Sequence, residues 1–137
     1  MIKIYFLALT IAVVQTCVAQ QKENASTATS VEIKNLTAEE FDAALKADKD
    51  AVILDVRTPE EVAKGKIPGA INVDFNGANF KKEIKALDKR KKYFVYCAKG
   101  GRSIKAVDTM VDLGFKNVTN LEEGFGNWQE KGMPVVK

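Results

Sequence analysis

Lys92–Gly114, "KYFVYCAKGGRSIKAVDTMVDLG", holds three signals in immediate succession. Tyr93–Tyr96 is an apolar and aromatic run, too short for a helix, and reads as a buried strand. Ser103–Leu113 reads as a helix that ends at Gly114. Between them lies a turn with a cysteine, two glycines, a lysine and an arginine. Glycine-rich loops between a strand and a helix let backbone N–H groups converge on an anion. A thiol at the mouth of such a loop sits among donors that favour its thiolate.

Each residue of the turn has a possible part in that chemistry. Gly100 and Gly101 can adopt backbone conformations closed to other residues and turn N–H groups inward. Arg102 can hold an oxyanion with two parallel donors, and Lys99 adds a movable charge. Ser103 can donate its hydroxyl into the loop or cap the following helix. The plainer alternative makes Cys97 a small buried hydrophobe at a strand end, because buried free cysteine is common.

Working outward, the same alternation continues in both directions. Thr37 and Glu40 form a capping box ahead of Phe41, Ala44 and Leu45 at helical spacing. "AVILDV" (Ala51–Val56) reads as a buried strand. Thr58, Pro59 and Glu61 open a second capped helix that Gly65 terminates. A turn at Pro68-Gly69 leads into a short strand, Ala70–Val73. Phe80, Ile84 and Leu87 mark one face of a further helix. "KNVTNLE" offers another strand, and a last short helix is expected over Asn127–Lys131, with Trp128 packed on the core. Strands alternating with helices imply an α/β fold, a central parallel sheet with helices on both faces. In such sheets ligands bind at the carboxyl ends of the strands. Cys97 and Asp55 both fall there.

The 137 residues suit one domain. Residues 1–19 have one lysine, an apolar run from Ile4 to Val14, and small residues ending at Ala19, the layout of a secretory signal peptide. Residues 20–32 read as a polar linker, and 33–137 as the domain. An exported, periplasmic protein is expected, with acylation at Cys17 as the lesser alternative. Removal of the leader takes one lysine and no acid, so the formal charge falls from +3 to +2. That balance does not suggest nucleic acid as a partner. Cys97 is then the single cysteine. With no histidine in the chain, no metal is expected.

Three segments carry a resemblance. Leu54–Phe75 ("LDVRTPEEVAKGKIPGAINVDF"), Tyr96–Ser103 ("YCAKGGRS") and Leu121–Val135 ("LEEGFGNWQEKGMPV") resemble the rhodanese family of sulfurtransferases in order and spacing, over about residues 33–137. The resemblance implies a rhodanese fold with Cys97 as nucleophile. The cysteine would take a sulfane sulfur from thiosulfate or a similar donor as a persulfide. It would then pass that sulfur to cyanide or a thiol, protein thiols included. Ala98, Lys99, Gly100, Gly101, Arg102 and Ser103 match the anion-cradling loop. Asp55 and Arg57 match a supporting D-x-R element. No cofactor is implied, and a monomer is expected. Lys66 departs from the family by standing where histidine is usual, and Glu123 by replacing the first of two common glycines.

Two other readings compete. One is a slow or non-catalytic persulfide carrier that docks a redox or sulfur-trafficking partner. The other is a phosphatase. Four residues separate Cys97 from Arg102, whereas related phosphatases of the same fold have five. A shorter loop suits a persulfide or a small sulfur oxyanion better than phosphate.

Overall fold

The computed structural model describes residues 31–137. The leader, Cys17 and all but the end of the linker lie outside the described residues. Among the described residues five strands and five helices alternate: β1 (Glu32–Leu36), α1 (Ala38–Ala47), β2 (Val52–Asp55), α2 (Pro59–Ala63), β3 (Ile71–Asn72), α3 (Phe80–Lys85), β4 (Tyr93–Tyr96), α4 (Gly101–Asp112), β5 (Asn117–Leu121) and α5 (Gly124–Glu130). Every strand pairing is parallel, in the order β1-β5-β4-β2-β3, which places β4 at the centre.

Local chemistry explains where these elements start. The Thr37 side chain accepts the Glu40 N–H while the Glu40 carboxylate takes the Thr37 N–H. Thr58 and Glu61 repeat the arrangement for α2, with Pro59 at the first helical position. Both boxes satisfy N–H groups that a helix start leaves unpaired.

The core divides by the two-residue period of the strands. Tyr93, Val95 and Cys97 face one side, with Phe80 and Ile84 of α3 and Ala106, Val107 and Met110 of α4. Phe94 and Tyr96 face the other, with Phe41 of α1 and Phe125 and Trp128 of α5. Both faces of the sheet are therefore covered. Because β2 and β4 run parallel, with Asp55 opposite Tyr96, their carboxyl ends open on the same edge of the molecule.

Three expectations need correction. β1 is an unforeseen strand, and it begins at Glu32, inside the stretch read as linker. Its residues are largely polar because it lies at the sheet edge, paired only with β5. α4 begins two residues early, at Gly101. α5 spans Gly124–Glu130 rather than Asn127–Lys131, starting after a two-residue turn that follows β5, with Gly124 at φ +70°.

Candidate active site

β4 ends at Tyr96, and the next residue, Cys97, is 1% exposed. From there the chain curls over the thiol before entering α4. The Gly100 N–H donates to Cys97 Sγ at 3.1 Å. That geometry depends on Gly100, at φ +91°, where a Cβ would drive into the Glu122 carbonyl. Gly101 has no such need: its φ is not positive and an added Cβ meets nothing. Only the first of the two glycines is required by its backbone conformation.

Burial pushes the Cys97 thiol up, but hydrogen bonding wins and holds it below the ordinary thiol value. The donors are the Ser103 hydroxyl and the N–H groups of Ser103, Lys99 and Arg102. In its resting rotamer the Ser103 hydroxyl donates instead to the Gly100 carbonyl at 3.0 Å, bracing the loop from inside. A hydroxyl carries a single proton, so it serves either the loop or the thiolate.

Arg102 does something the sequence did not announce. Its guanidinium makes a bidentate pair with Glu61 of α2, at 2.7 Å for each of the two bonds. Arg102 stays within electrostatic reach of Cys97 and Asp74, yet both of its outer nitrogens are occupied. Glu61 was legible as a capping residue, and it fills that role. Its second partner lies 41 residues away, and no local pattern links the two. Lys99 is exposed on the outside of the loop.

Asp55 and Arg57 support the site from behind. Arg57 donates to both carboxylate oxygens of Asp55 and, through Nη2, to the Gly65 carbonyl at 2.8 Å. Its guanidinium lies 4.0 Å from the centre of the Phe125 ring. Both charged residues are buried, and neither reaches the thiol through a direct bond. Lys66 donates from Nζ to the Ala70 carbonyl at 3.1 Å, bracing the Ile67–Ala70 turn, while its backbone bridges Val136.

The segment after β5 clamps the loop from outside. The Phe125 N–H donates to the Cys97 carbonyl at 2.7 Å, and the Gly126 N–H to the Ala98 carbonyl at 3.0 Å. Gly124 packs so closely that a Cβ would sit 2.6 Å from the Ala98 carbonyl and the Lys99 nitrogen. Position-by-position reading assigned these glycines no part in the site. Among the described residues, two concavities lie away from the thiol, around Lys34, Phe94 and Asn117 and around Asp48, Val52 and Arg90. The thiol itself is nearly enclosed, with Cys97 1% exposed.

Residues 37–131 match the family model described as the rhodanese-like domain. The chain belongs to the rhodanese-like family. A sulfurtransferase of Allochromatium vinosum is 28% identical over 104 residues, covering 76% of this chain and 95% of that protein. Thiosulfate sulfurtransferase 16 of Arabidopsis thaliana is 36% identical over 92 residues, covering 60% of this chain and 77% of its own length. Among solved structures, a rhodanese-related protein from Thermoplasma volcanium is 34% identical with a TM-score of 0.67, covering 75% of this chain and 97% of that one. The rhodanese-like fold and a place among sulfurtransferase-type relatives follow from these matches.

Proposed function

We propose that this rhodanese-like protein is a sulfurtransferase that carries sulfur on Cys97. The observation that carries the reading is a nearly sealed thiol, held below its ordinary pKa by the N–H groups of its own loop at the carboxyl end of the central strand. In the first half-reaction the Cys97 thiolate attacks the outer sulfur of thiosulfate or another sulfane donor. A sulfur–sulfur bond forms, and the donor's own bond to that sulfur breaks. Sulfite, in the thiosulfate case, leaves with the electron pair. In the second half-reaction a thiolate or cyanide attacks the terminal sulfur of the persulfide, and Cys97 departs as thiolate. The loop N–H groups serve both steps, because each begins or ends with negative charge on sulfur. No proton needs to be placed on a leaving group, so the site needs no general acid.

The test is the intact mass of reduced protein before and after brief thiosulfate treatment, with Cys97→Ser beside it. The expected result is a gain of one sulfur atom, absent from the variant and reversed by cyanide. Loading that turns over only with a protein thiol would favour a carrier. Hydrolysis of an aryl phosphate, abolished in Cys97→Ser and without sulfur loading, would favour the phosphatase reading. If the leader is cleaved as we propose, the mass of protein recovered from an exporting host will begin at Gln20.

A further inference from the structure

The guanidinium in the Cys97 loop is already committed to a carboxylate. Lys99 and Arg102 are the loop's two cations. Arg102 is bound through both outer nitrogens to Glu61, and it also feels Asp74. Glu122 and Glu123 are exposed on the segment that packs against the loop. For Arg102 to grip an incoming anion it must first leave Glu61, or bind with its charge already offset. Glu61 itself is anchored, since the Thr58 N–H donates to the same carboxylate at 3.0 Å.

We propose that Glu61 sets donor specificity by neutralising Arg102, so that the site disfavours dianionic donors such as thiosulfate and prefers the persulfides of small thiols or protein thiols. This rests on the sulfur-transfer reading above. With a persulfide donor the Cys97 thiolate attacks the outer sulfur of R–S–SH. The Cys97 S–S bond forms, the original S–S bond breaks, and R–S⁻ leaves with the electron pair. The attacking and departing groups are then both thiolates of single charge. Thiosulfate instead brings two negative charges to a thiolate whose nearest guanidinium is already engaged. Glu61 touches no reacting atom in this scheme. It acts through Arg102 and is a positioning residue.

Glu61→Gln tests this directly, because glutamine also closes a capping box and keeps the start of α2 intact. The variant removes one negative charge and frees Arg102 from full neutralisation. At low salt, the rate of Cys97 loading by thiosulfate is expected to rise roughly five- to tenfold. Loading by mercaptoethanol persulfide, which carries at most one negative charge, should change less than twofold. The difference should shrink as salt approaches about 1 M. A thiosulfate rate that is unchanged or lower, or an equal rise for both donors, overturns the proposal.

A second measurement separates the charge effect from sulfur transfer. Alkylation of reduced Cys97 by anionic iodoacetate, divided by that by neutral iodoacetamide, should rise in Glu61→Gln by roughly two- to threefold, because iodoacetate carries one negative charge to the two of thiosulfate. An unchanged ratio overturns the role of Glu61 even if sulfur is transferred. A raised ratio with no loading by either donor leaves the charge effect standing and defeats the sulfur-transfer reading instead.

Discussion

Cys97 is held in tension between burial, which opposes the thiolate, and N–H donors, which favour it. The donors prevail, so the iodoacetamide reaction should follow a titration lying below that of an ordinary thiol, slowing as pH falls through it. Ser103→Ala removes a donor and should move that titration upward, slowing alkylation at neutral pH while leaving the rate at high pH unchanged. The pH–rate profile of alkylation checks both statements. Glu61 is shifted in the same sense as Cys97. The Arg102 hydrogen bonds hold its carboxyl at about 2, below the ordinary 4.5. A folded value below the unfolded one means the pair stabilises fully above pH 4.5 and loses its contribution as pH falls toward about 2. Both partners are partly solvated, so the contribution is about 1 kcal/mol or less. The melting-temperature gap between native protein and Glu61→Gln should be open at pH 6 and closed near pH 2. Asp88 titrates over the same range in both proteins and cancels in that comparison. Arg57 is a different matter. Its loss leaves the Asp55 carboxylate buried without a partner, so Arg57→Ala should cost about 3–5 kcal/mol in urea unfolding.

At the level of elements, the loop owes its shape to what lies on either side of it. β4 delivers Cys97 and α4 carries Arg102 and Ser103 away, while the turn entering α5 holds the loop from outside through two carbonyls. Gly124 makes that approach possible. Gly124→Ala combines a left-handed backbone with a Cβ 2.6 Å from loop backbone atoms, and should destabilise by about 2–4 kcal/mol. Gly132→Ala offers the control. Its φ of +69° is similar, but nothing lies within 4 Å, so the cost should be nearer 1 kcal/mol. Denaturant midpoints measure both, and only Gly124→Ala should also slow sulfur loading. The capping boxes of α1 and α2 were legible because four consecutive residues contain the whole interaction. The clamp was not, since nothing near Gly124 in the chain names Ala98 as its neighbour.

For the whole molecule, the two-faced sheet is what makes the site rigid. Phe41 meets Phe94 edge-on at 5.1 Å and Trp128 at 6.0 Å, tying α1 to β4 and α5 on the face opposite α3 and α4. Phe41→Ala should cost about 3–5 kcal/mol, read by Trp128 fluorescence during urea unfolding. Cys97 faces the other side of the sheet, so sulfur loading should persist in this variant below its unfolding transition. The strand order β1-β5-β4-β2-β3 is itself a property of the whole. β1, "EIKNL", is too polar to announce a strand and becomes one through its register with Asn117–Leu121.

The sequence by itself determined the alternation of strands and helices, the two capped helix starts, the buried strand that leads into the loop and the position of the thiol at its end. These depend on periodicity, caps and turn residues, interactions closed within a few residues of chain. Only the tertiary structure decided which charges and carbonyls meet at that thiol. The Arg102–Glu61 pair, the Phe125 and Gly126 bonds to the loop and the contact of Gly100 with Glu122 join residues distant in sequence. They form because parallel pairing brings the carboxyl ends of β2, β4 and β5 to one edge, where the segments leaving those strands have no room to avoid one another.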